Sequence, residues 1–133
     1  RIKNRKMPIV LLNVINLICW IVFIYVKMPV QMLTPFLFVF GFAMSVFTMC
    51  WTVGNEVNDM RLSGIATGVV NCIGFLGAAV VPVIMGNIID KYSDIPQVGY
   101  DKAFLVLIAL VAISTVASFF TTETNAKNIY EGK

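Results

Sequence analysis

The chain has 133 residues, of which 59% are hydrophobic and 13% charged, whereas about 25% are charged in a typical soluble domain. Ten basic and seven acidic residues give a formal net charge of +3, a surplus too small to indicate binding of nucleic acid. Histidine is absent, so the commonest general base and the commonest metal ligand are both missing. The composition favours a membrane protein and disfavours a nucleic-acid-binding one.

The residue types expected of a catalytic or metal centre are not grouped anywhere in the sequence. Cys19, Cys50 and Cys72 lie far apart inside apolar runs, a spacing that indicates neither a disulfide framework nor a zinc site. No G-x-S-x-G turn, phosphate-binding loop or metal-ligand spacing is present. The sequence therefore predicts no catalytic residues, no metal, no cofactor and no enzymatic activity.

The chain opens with the basic run R-I-K-N-R-K, directly before its first apolar stretch. Such a run can begin a signal peptide, but no small-residue cleavage site follows it, and further membrane-length stretches come later. We therefore expect residues 1–7 to form a basic cytoplasmic loop within a longer reading frame.

Four stretches carry almost no charge and are long enough to cross a bilayer, which takes about 20 apolar residues in a helix. They should be helical, because the hydrocarbon core offers backbone groups no other partners. A soluble bundle of four buried helices would retain too little polar chain to cover it. The predicted spans are residues 8–26, 35–53, 63–89 and 103–121, within a bundle over 8–121 and followed by a cytoplasmic tail at 122–133.

The ends of the second and third spans are predicted from local signals. Thr34 is the expected N-cap of the second span and Pro35 its first helical residue. The third span is the longest and is expected to tilt in the membrane. Pro82 inside it removes one helical hydrogen bond and therefore predicts a kink or a flexible point.

The distribution of Lys and Arg predicts how the bundle is oriented. If all four helices cross, one side of the membrane holds Arg1, Lys3, Arg5, Lys6, Arg61, Lys127 and Lys133. The other side holds Lys27, Lys91 and Lys102. Because the more basic side faces the cytoplasm, both termini should be cytoplasmic, and we expect the membrane to be a bacterial inner membrane.

The second and third spans differ chemically from the first and fourth. In the second, one stripe holds Gly41, Ser45, Thr48 and Thr52. In the third, one face holds Gly64, Gly68, Asn71, Phe75, Ala78, Pro82 and Gly86. Such stripes serve either close helix packing or contact with a solute, and both interpretations stay open. Asn13 and Asn16 in the first span lie nearer the cytoplasmic end, where solvation is a sufficient explanation for them.

The connection between the second and third spans has a recognisable order of residues. From Trp51 to Gly68 it reads W-T-V-G-N-E-V-N-D-M-R-L-S-G-I-A-T-G. An acid at the end of one helix, then a basic residue, then G-x-A-x-G opening the next, resembles the segment between helices ten and eleven of the major facilitator superfamily. The opening basic run is similar to the end of that family's D-R-x-G-R-K motif, although Asn4 stands for the glycine and falls one residue late.

The resemblance covers nearly the whole chain and implies an all-α polytopic membrane protein. The chain would supply helices nine to twelve, from the C-terminal half of a twelve-helix bundle. In that family the ninth and twelfth helices are outer supports, whereas the tenth and eleventh face the central cavity. The resemblance implies a secondary transporter that moves a small polar solute by alternating access. Its partners would be the lipid bilayer and the N-terminal helices of the same transporter.

Two sets of residues are predicted to carry this function, and a third to allow packing and flexing. Those expected to face the cavity are Ser45, Thr48, Trp51, Asn71 and Phe75. Those expected to form a charge network at the cytoplasmic rim are Arg1 or Arg5 with Glu56, and Arg61 as a second basic member. Those expected to pack or flex are Gly64, Gly68, Pro82 and Gly86.

The charge network can latch one conformation, because alternating access breaks and remakes contacts between moving parts. The plain alternative is a solvated cluster worth at most about 1 kcal/mol per pair. No ionisable residue lies inside a predicted span. A proton-coupled transporter would therefore carry its titrating residue in helices outside this chain.

Two other classes of protein fit the length. The chain could be a small four-helix transporter or channel that works as an oligomer, although such an exporter would be expected to carry a charge within a span. It could also be a non-transporting assembly subunit that docks through Gly64-x-x-x-Gly68. Eight spans upstream in the gene would support the transporter, whereas a start codon just before Arg1 would overturn it.

Overall fold

A computed structural model describes residues 3–130, and every regular element within them is helical. The helices are α1 (Lys6–Tyr25), α2 (Val30–Met44), α3 (Val46–Glu56), α4 (Ser63–Asp90) and α5 (Pro96–Ser118), with a short 3₁₀ turn, Met60–Leu62, before α4. Because α2 and α3 follow one another as a single segment, the chain has four helical segments that are long and apolar enough to cross a membrane. The predicted all-α fold with four candidate spans is confirmed.

The second span begins earlier than predicted. The assignment of Thr34 as its N-cap was wrong, because α2 starts at Val30 and contains Pro35 in its interior. Pro29 precedes the helix in an extended conformation, and its carbonyl accepts a hydrogen bond of 2.9 Å from the backbone N–H of Met32. This earlier turn starts the helix, and Pro35 then costs only one backbone hydrogen bond, which membrane helices tolerate.

The same span is interrupted at Ser45, between α2 and α3. The backbone N–H of Ser45 donates to the carbonyl of Phe42, and that of Thr48 donates to the carbonyl of Ser45, both at 3.1 Å. These bonds join residues three apart and tighten the helix locally into 3₁₀ geometry. The Thr48 hydroxyl also donates to the Ser45 carbonyl at 2.7 Å, so side chain and backbone stabilise the break together.

The remaining helix ends differ less from the prediction. α4 runs continuously through Pro82, and the kink expected there stays a prediction. α5 begins at Pro96, ahead of the predicted residue 103, because proline is well suited to the first position of a helix. After Ser118 the chain is no longer helical, and residues 119–130 run back across the starts and ends of other helices.

The bundle has two ends, which can be told apart by their residues. The tail end carries Arg5, Glu56 and the non-helical residues 119–130. The opposite end holds an aromatic cluster in which Trp20 of α1 lies 5.1 Å from Phe40 of α2 and 6.1 Å from Phe104 of α5, between ring centroids. These contacts join three helices by apolar burial and favourable ring geometry.

Helices α4 and α5 approach each other closely at a glycine of α5. A Cβ at Gly99 would lie 3.3 Å from both the Cα and the carbonyl oxygen of Ile89. Because those atoms belong to the backbone of α4, only glycine fits there without a shift. Ala103, one turn further along α5, is fully buried. Small residues therefore set the distance between these two helices.

Candidate functional site

A cleft opens between α3 and α4 around a pair of polar side chains. The indole Nε1 of Trp51 donates a hydrogen bond of 2.9 Å to the Oδ1 of Asn71. The ring of Phe47 packs edge-on against Trp51, with centroids 4.7 Å apart. The cleft has a volume of about 310 Å³ and is lined by Phe47, Trp51, Asn71, Gly74, Phe75 and Ala78.

The local sequence explains how the cleft is formed. Phe47 and Trp51 are four residues apart and therefore lie on one face of α3. Across from them, a Cβ at Gly74 would lie 3.4 Å from the Phe47 ring, an ordinary van der Waals distance, so that ring packs directly against α4. Because indole only donates, its bond orients the Asn71 amide and leaves the NH₂ group of Asn71 as a donor for the cleft.

The structure brings together three of the five residues predicted to face a cavity. Trp51, Asn71 and Phe75 line this cleft. Ser45 instead lines a separate apolar groove of about 650 Å³ between α1 and the second span. Thr48 is exposed and bonds within its own helix. Ser45 and Trp51 cannot line the same cleft because they lie on different faces of the helix. Each residue turns the helix by about 100°, so the six steps from one to the other leave Trp51 about 120° around from Ser45.

The glycine-rich face of α4 is uncovered by the described part of the chain. Within residues 3–130, neither α3 nor α4 contains a buried residue. A Cβ added at Gly64, Gly68 or Gly86 would meet nothing within 4 Å. Phe75 on the same helix is 74% exposed. No described residue of the chain therefore covers this face.

The tail end contains an ion pair between α1 and α3. The guanidinium of Arg5 donates to Glu56 Oε1 from Nη2 at 2.8 Å and from Nε at 3.1 Å. The pair is partly buried, with 31% of the Arg5 side chain and 14% of the Glu56 side chain exposed. The other carboxylate oxygen of Glu56 accepts a hydrogen bond from the hydroxyl of Thr124. The predicted partners Arg5 and Glu56 are thus in contact.

Of the other two predicted members of the network, Arg61 makes a different contact and Arg1 cannot be placed. The backbone N–H of Arg61 donates to the carboxylate of Asp59 at 2.8 Å, and this bond caps the short 3₁₀ turn. Among residues 3–130, the Arg61 guanidinium forms no ion pair. Arg1 lies outside the described residues.

Glu123, which no local pattern had marked, caps the start of α1. Its two carboxylate oxygens accept hydrogen bonds from the backbone N–H groups of Arg5 at 2.8 Å and Lys6 at 2.9 Å. The first amides of a helix lack internal partners and carry partial positive charge. The hydrogen bond from the Arg5 amide, helped by that from Lys6, holds the pKa of Glu123 below its ordinary value.

The expectation that solvation explains Asn13 and Asn16 was wrong. Both are buried, with 5% and 9% of their surface exposed. The Oδ1 of Asn13 accepts a hydrogen bond of 3.1 Å from the hydroxyl of Ser114, and its carbonyl accepts one of 3.4 Å from Thr115. These polar groups therefore join α1 to α5, which sequence position alone could not indicate.

Comparison with protein-family models, with curated proteins and with solved structures finds no match to this chain. The resemblance to the major facilitator superfamily therefore stays a prediction. What the structure defines is an all-helical chain with four segments long and apolar enough to span a membrane. Two of those segments pack around a polar seam, and the other two leave a cleft and a glycine-rich face open.

Proposed function

We propose that this chain is part of a secondary active transporter of the major facilitator type, in which the cleft between α3 and α4 lines the solute pathway. One observation carries the proposal. Asn13 of α1 is buried and bonded to Ser114 of α5, whereas Trp51 of α3 and Asn71 of α4 line a cleft that the described chain leaves open. Supporting and cavity-lining helices of a transporter should differ in this way.

The chemistry of the cleft favours a small solute with both polar and apolar parts. The Asn71 amide offers a donor, and the rings of Phe47, Trp51 and Phe75 offer apolar surface. Ligand sites commonly combine such surfaces with a few oriented polar groups. An aromatic ring beside a fixed hydrogen-bond donor would hold a solute that carries an acceptor on one edge.

The Arg5–Glu56 pair supports a latch at the tail end in this proposal. It joins α1, a supporting helix, to α3, a cavity helix. If α3 moves during alternating access, the pair must break and form again in each cycle. The basic residues Lys3, Arg5 and Lys6 lie at the same end, so we place that end and both termini in the cytoplasm of a bacterial cell.

One observation favours a second candidate, a small transporter or channel that works as an oligomer. No residue of the described α4 is buried, and the face with Gly64 and Gly68 is smooth enough for another helix to approach closely. A second copy of the chain could cover that face. In the transporter proposal, the N-terminal helices of the same protein do so.

Cysteine labelling tests the proposal with two neighbouring positions on α4. Phe75 lines the cleft, whereas Ile73 lies about 160° around the helix from it. Both side chains are exposed in the chain, at 74% and 67%. In membrane vesicles of the cysteine-free protein, we expect a water-soluble thiol reagent to modify Phe75→Cys and to leave Ile73→Cys unmodified in lipid.

Labelling from each side of the membrane distinguishes alternating access from a cleft that is closed to water and from an oligomer. Alternating access predicts that Phe75→Cys is modified from either side of the membrane, in right-side-out and in inverted vesicles. Protection of Phe75→Cys from both sides would contradict the proposal. Modification at a rate that rises with dilution of the protein in the membrane would favour the oligomer, because a second copy would then be shielding the face.

A further inference from the structure

The segment from residue 123 to residue 129 contacts the ends of two different helices with opposite chemistry. At the start of α1, Glu123 supplies hydrogen-bond acceptors to backbone N–H groups. At the end of α3, Asn128 and Ile129 supply donors to backbone carbonyls. Each helix end thereby receives the kind of partner that it lacks.

The contacts with α3 involve three carbonyl groups. The Nδ2 of Asn128 donates to the carbonyls of Asn55 at 3.1 Å and Asn58 at 2.8 Å. The backbone N–H of Ile129 donates to the carbonyl of Glu56 at 2.8 Å. The last carbonyls of a helix have no partner within it, so these three bonds form a C-terminal cap supplied from a distant part of the chain.

A tight turn directs the segment from α1 back to α3. Asn125 and Ala126 have φ values of 54° and 56°, in the left-handed region that alanine in particular disfavours. The backbone N–H of Lys127 closes the turn on the carbonyl of Thr124 at 3.1 Å. Two successive residues adopt such a conformation only where the surroundings fix it, so the segment is held in one defined arrangement.

The two halves of the segment differ in how easily they can detach. Thr124 is only 1% exposed and bonds to Glu56 beneath the turn. The bonds of Asn128 to α3 are exposed to solvent. Exposed hydrogen bonds exchange with water at little cost, whereas buried ones do not. The segment is therefore anchored at Thr124 and releasable at Asn128.

We propose that residues 123–129 form a brace that holds the tail ends of α1 and α3 together in one conformation. Loss of the Asn128 bonds to α3 weakens the brace and shifts the balance toward a state in which those ends separate, the bonds of Arg5 and Thr124 to Glu56 break as well, and the cleft opens toward the tail. The opening step rests on the proposed transport function, whereas the brace itself is a property of the chain.

Distance measurements between spin labels test the brace directly. Met7 on α1 and Met60 beyond α3 are 69% and 76% exposed, so both accept a label as cysteine in the cysteine-free protein. In liposomes we expect one narrow distance for the parent and a second, longer distance for Asn128→Leu. Asn128→Asp, which sets a carboxylate against carbonyl oxygens, should act in the same direction. Lys127→Gln keeps both bonds of Asn128 and should match the parent.

Amide exchange at Ile129 reports whether the brace has been released. We expect at least a tenfold faster exchange in Asn128→Leu than in Lys127→Gln. Faster exchange with an unchanged distance between labels would overturn the brace, and unchanged exchange would overturn the role of Asn128. Neither the distance between the labels nor the amide exchange at Ile129 requires the cleft to contain water, whereas labelling of Phe75→Cys does. A failure of the brace is therefore distinguishable from protection of Phe75→Cys, which contradicts the transport proposal instead.

Discussion

The pair α1 and α5 and the pair α3 and α4 use the same residue types in opposite ways. Asn13 of α1 is 5% exposed and bonds to hydroxyls of α5. Asn71 of α4 bonds to one indole and borders an open cleft. The comparison teaches that an amide in an apolar helix marks either a joint between helices or a surface left for another partner.

Glycine shows the same contrast. Gly99 of α5 lies against the backbone of α4, whereas Gly68 of α4 faces open space in the described chain. Small residues permit close approach in both cases, but only the first contact is made within the chain. Gly99 of the closed pair, α1 and α5, therefore meets a neighbour within the described chain, whereas Gly68 of the open pair, α3 and α4, does not.

Removing the ion pair that bridges the two regions should have the largest effect. Glu56→Leu leaves the guanidinium of Arg5 and the hydroxyl of Thr124 without their acceptor. We expect the free energy of unfolding to fall by about 1.5 to 3 kcal/mol, the range for hydrogen bonds to charged groups. Unfolding in mixed detergent measures it. Arg61→Gln, a charge change at the same end, should have no comparable effect.

Replacing the side-chain amide of Asn13 should lower the free energy of unfolding more than replacing that of Asn71. Asn13→Leu removes the acceptor of the Ser114 hydroxyl and the donor to the Ile9 carbonyl, and we expect a loss of about 1 kcal/mol in the free energy of unfolding. Asn71→Leu removes one bond at the cleft and should cost about 0.6 kcal/mol. Unfolding curves of the two variants give both values. A larger loss for Asn71→Leu would reverse the assignment of closed and open pairs.

Alanine at the two glycines should give changes of opposite sign. Gly99→Ala places a Cβ 3.3 Å from backbone atoms of Ile89, and overpacking outweighs the better helix propensity, for a net loss of about 1 kcal/mol. Gly68→Ala meets no atom within 4 Å and should stabilise by up to about 1 kcal/mol. Destabilisation by Gly68→Ala in the membrane would show that another helix already packs there.

Acid should loosen the contact between the tail and α1. The pKa of Glu123 is lowered from its usual 4.5 by the Arg5 amide. A lowered folded pKa means that the stabilisation is fully present above the unfolded pKa and is lost as the pH falls through the folded one. Exchange of the Arg5 and Lys6 amides, relative to Glu123→Gln, should stay protected at pH 5 and above. Protection lost already near neutral pH would contradict this assignment.

Much of the fold could be predicted from the sequence, because four long apolar stretches leave helices as the only spanning structure. The helix ends were harder to predict than the helices themselves. Helix α2 starts directly after Pro29 and helix α5 starts at Pro96, in both cases before the apolar stretch begins. The break at Ser45 has no distinctive signal, because serine is ordinary in membrane helices. It depends on local bonds that only coordinates reveal.

The candidate site could be predicted only where its residues share a helix or adjoin one loop. Asn71 and Phe75 are four residues apart and do lie on one face. Ser45 and Trp51 were both predicted to face the cavity, although they point about 120° apart around a helix. The helical repeat of 3.6 residues per turn predicts this separation from the sequence alone. The cap by Glu123 joins residues 118 positions apart, and no local pattern predicts such a contact.

The most direct test of the contrast between closed and open pairs compares two asparagines. Asn71 of α4 lines the open cleft, whereas Asn13 of α1 is only 5% exposed. In vesicles of the cysteine-free protein, we predict that a water-soluble thiol reagent modifies Asn71→Cys and spares Asn13→Cys. Protection of Asn71→Cys from both sides of the membrane, or modification of Asn13→Cys alone, would contradict the account.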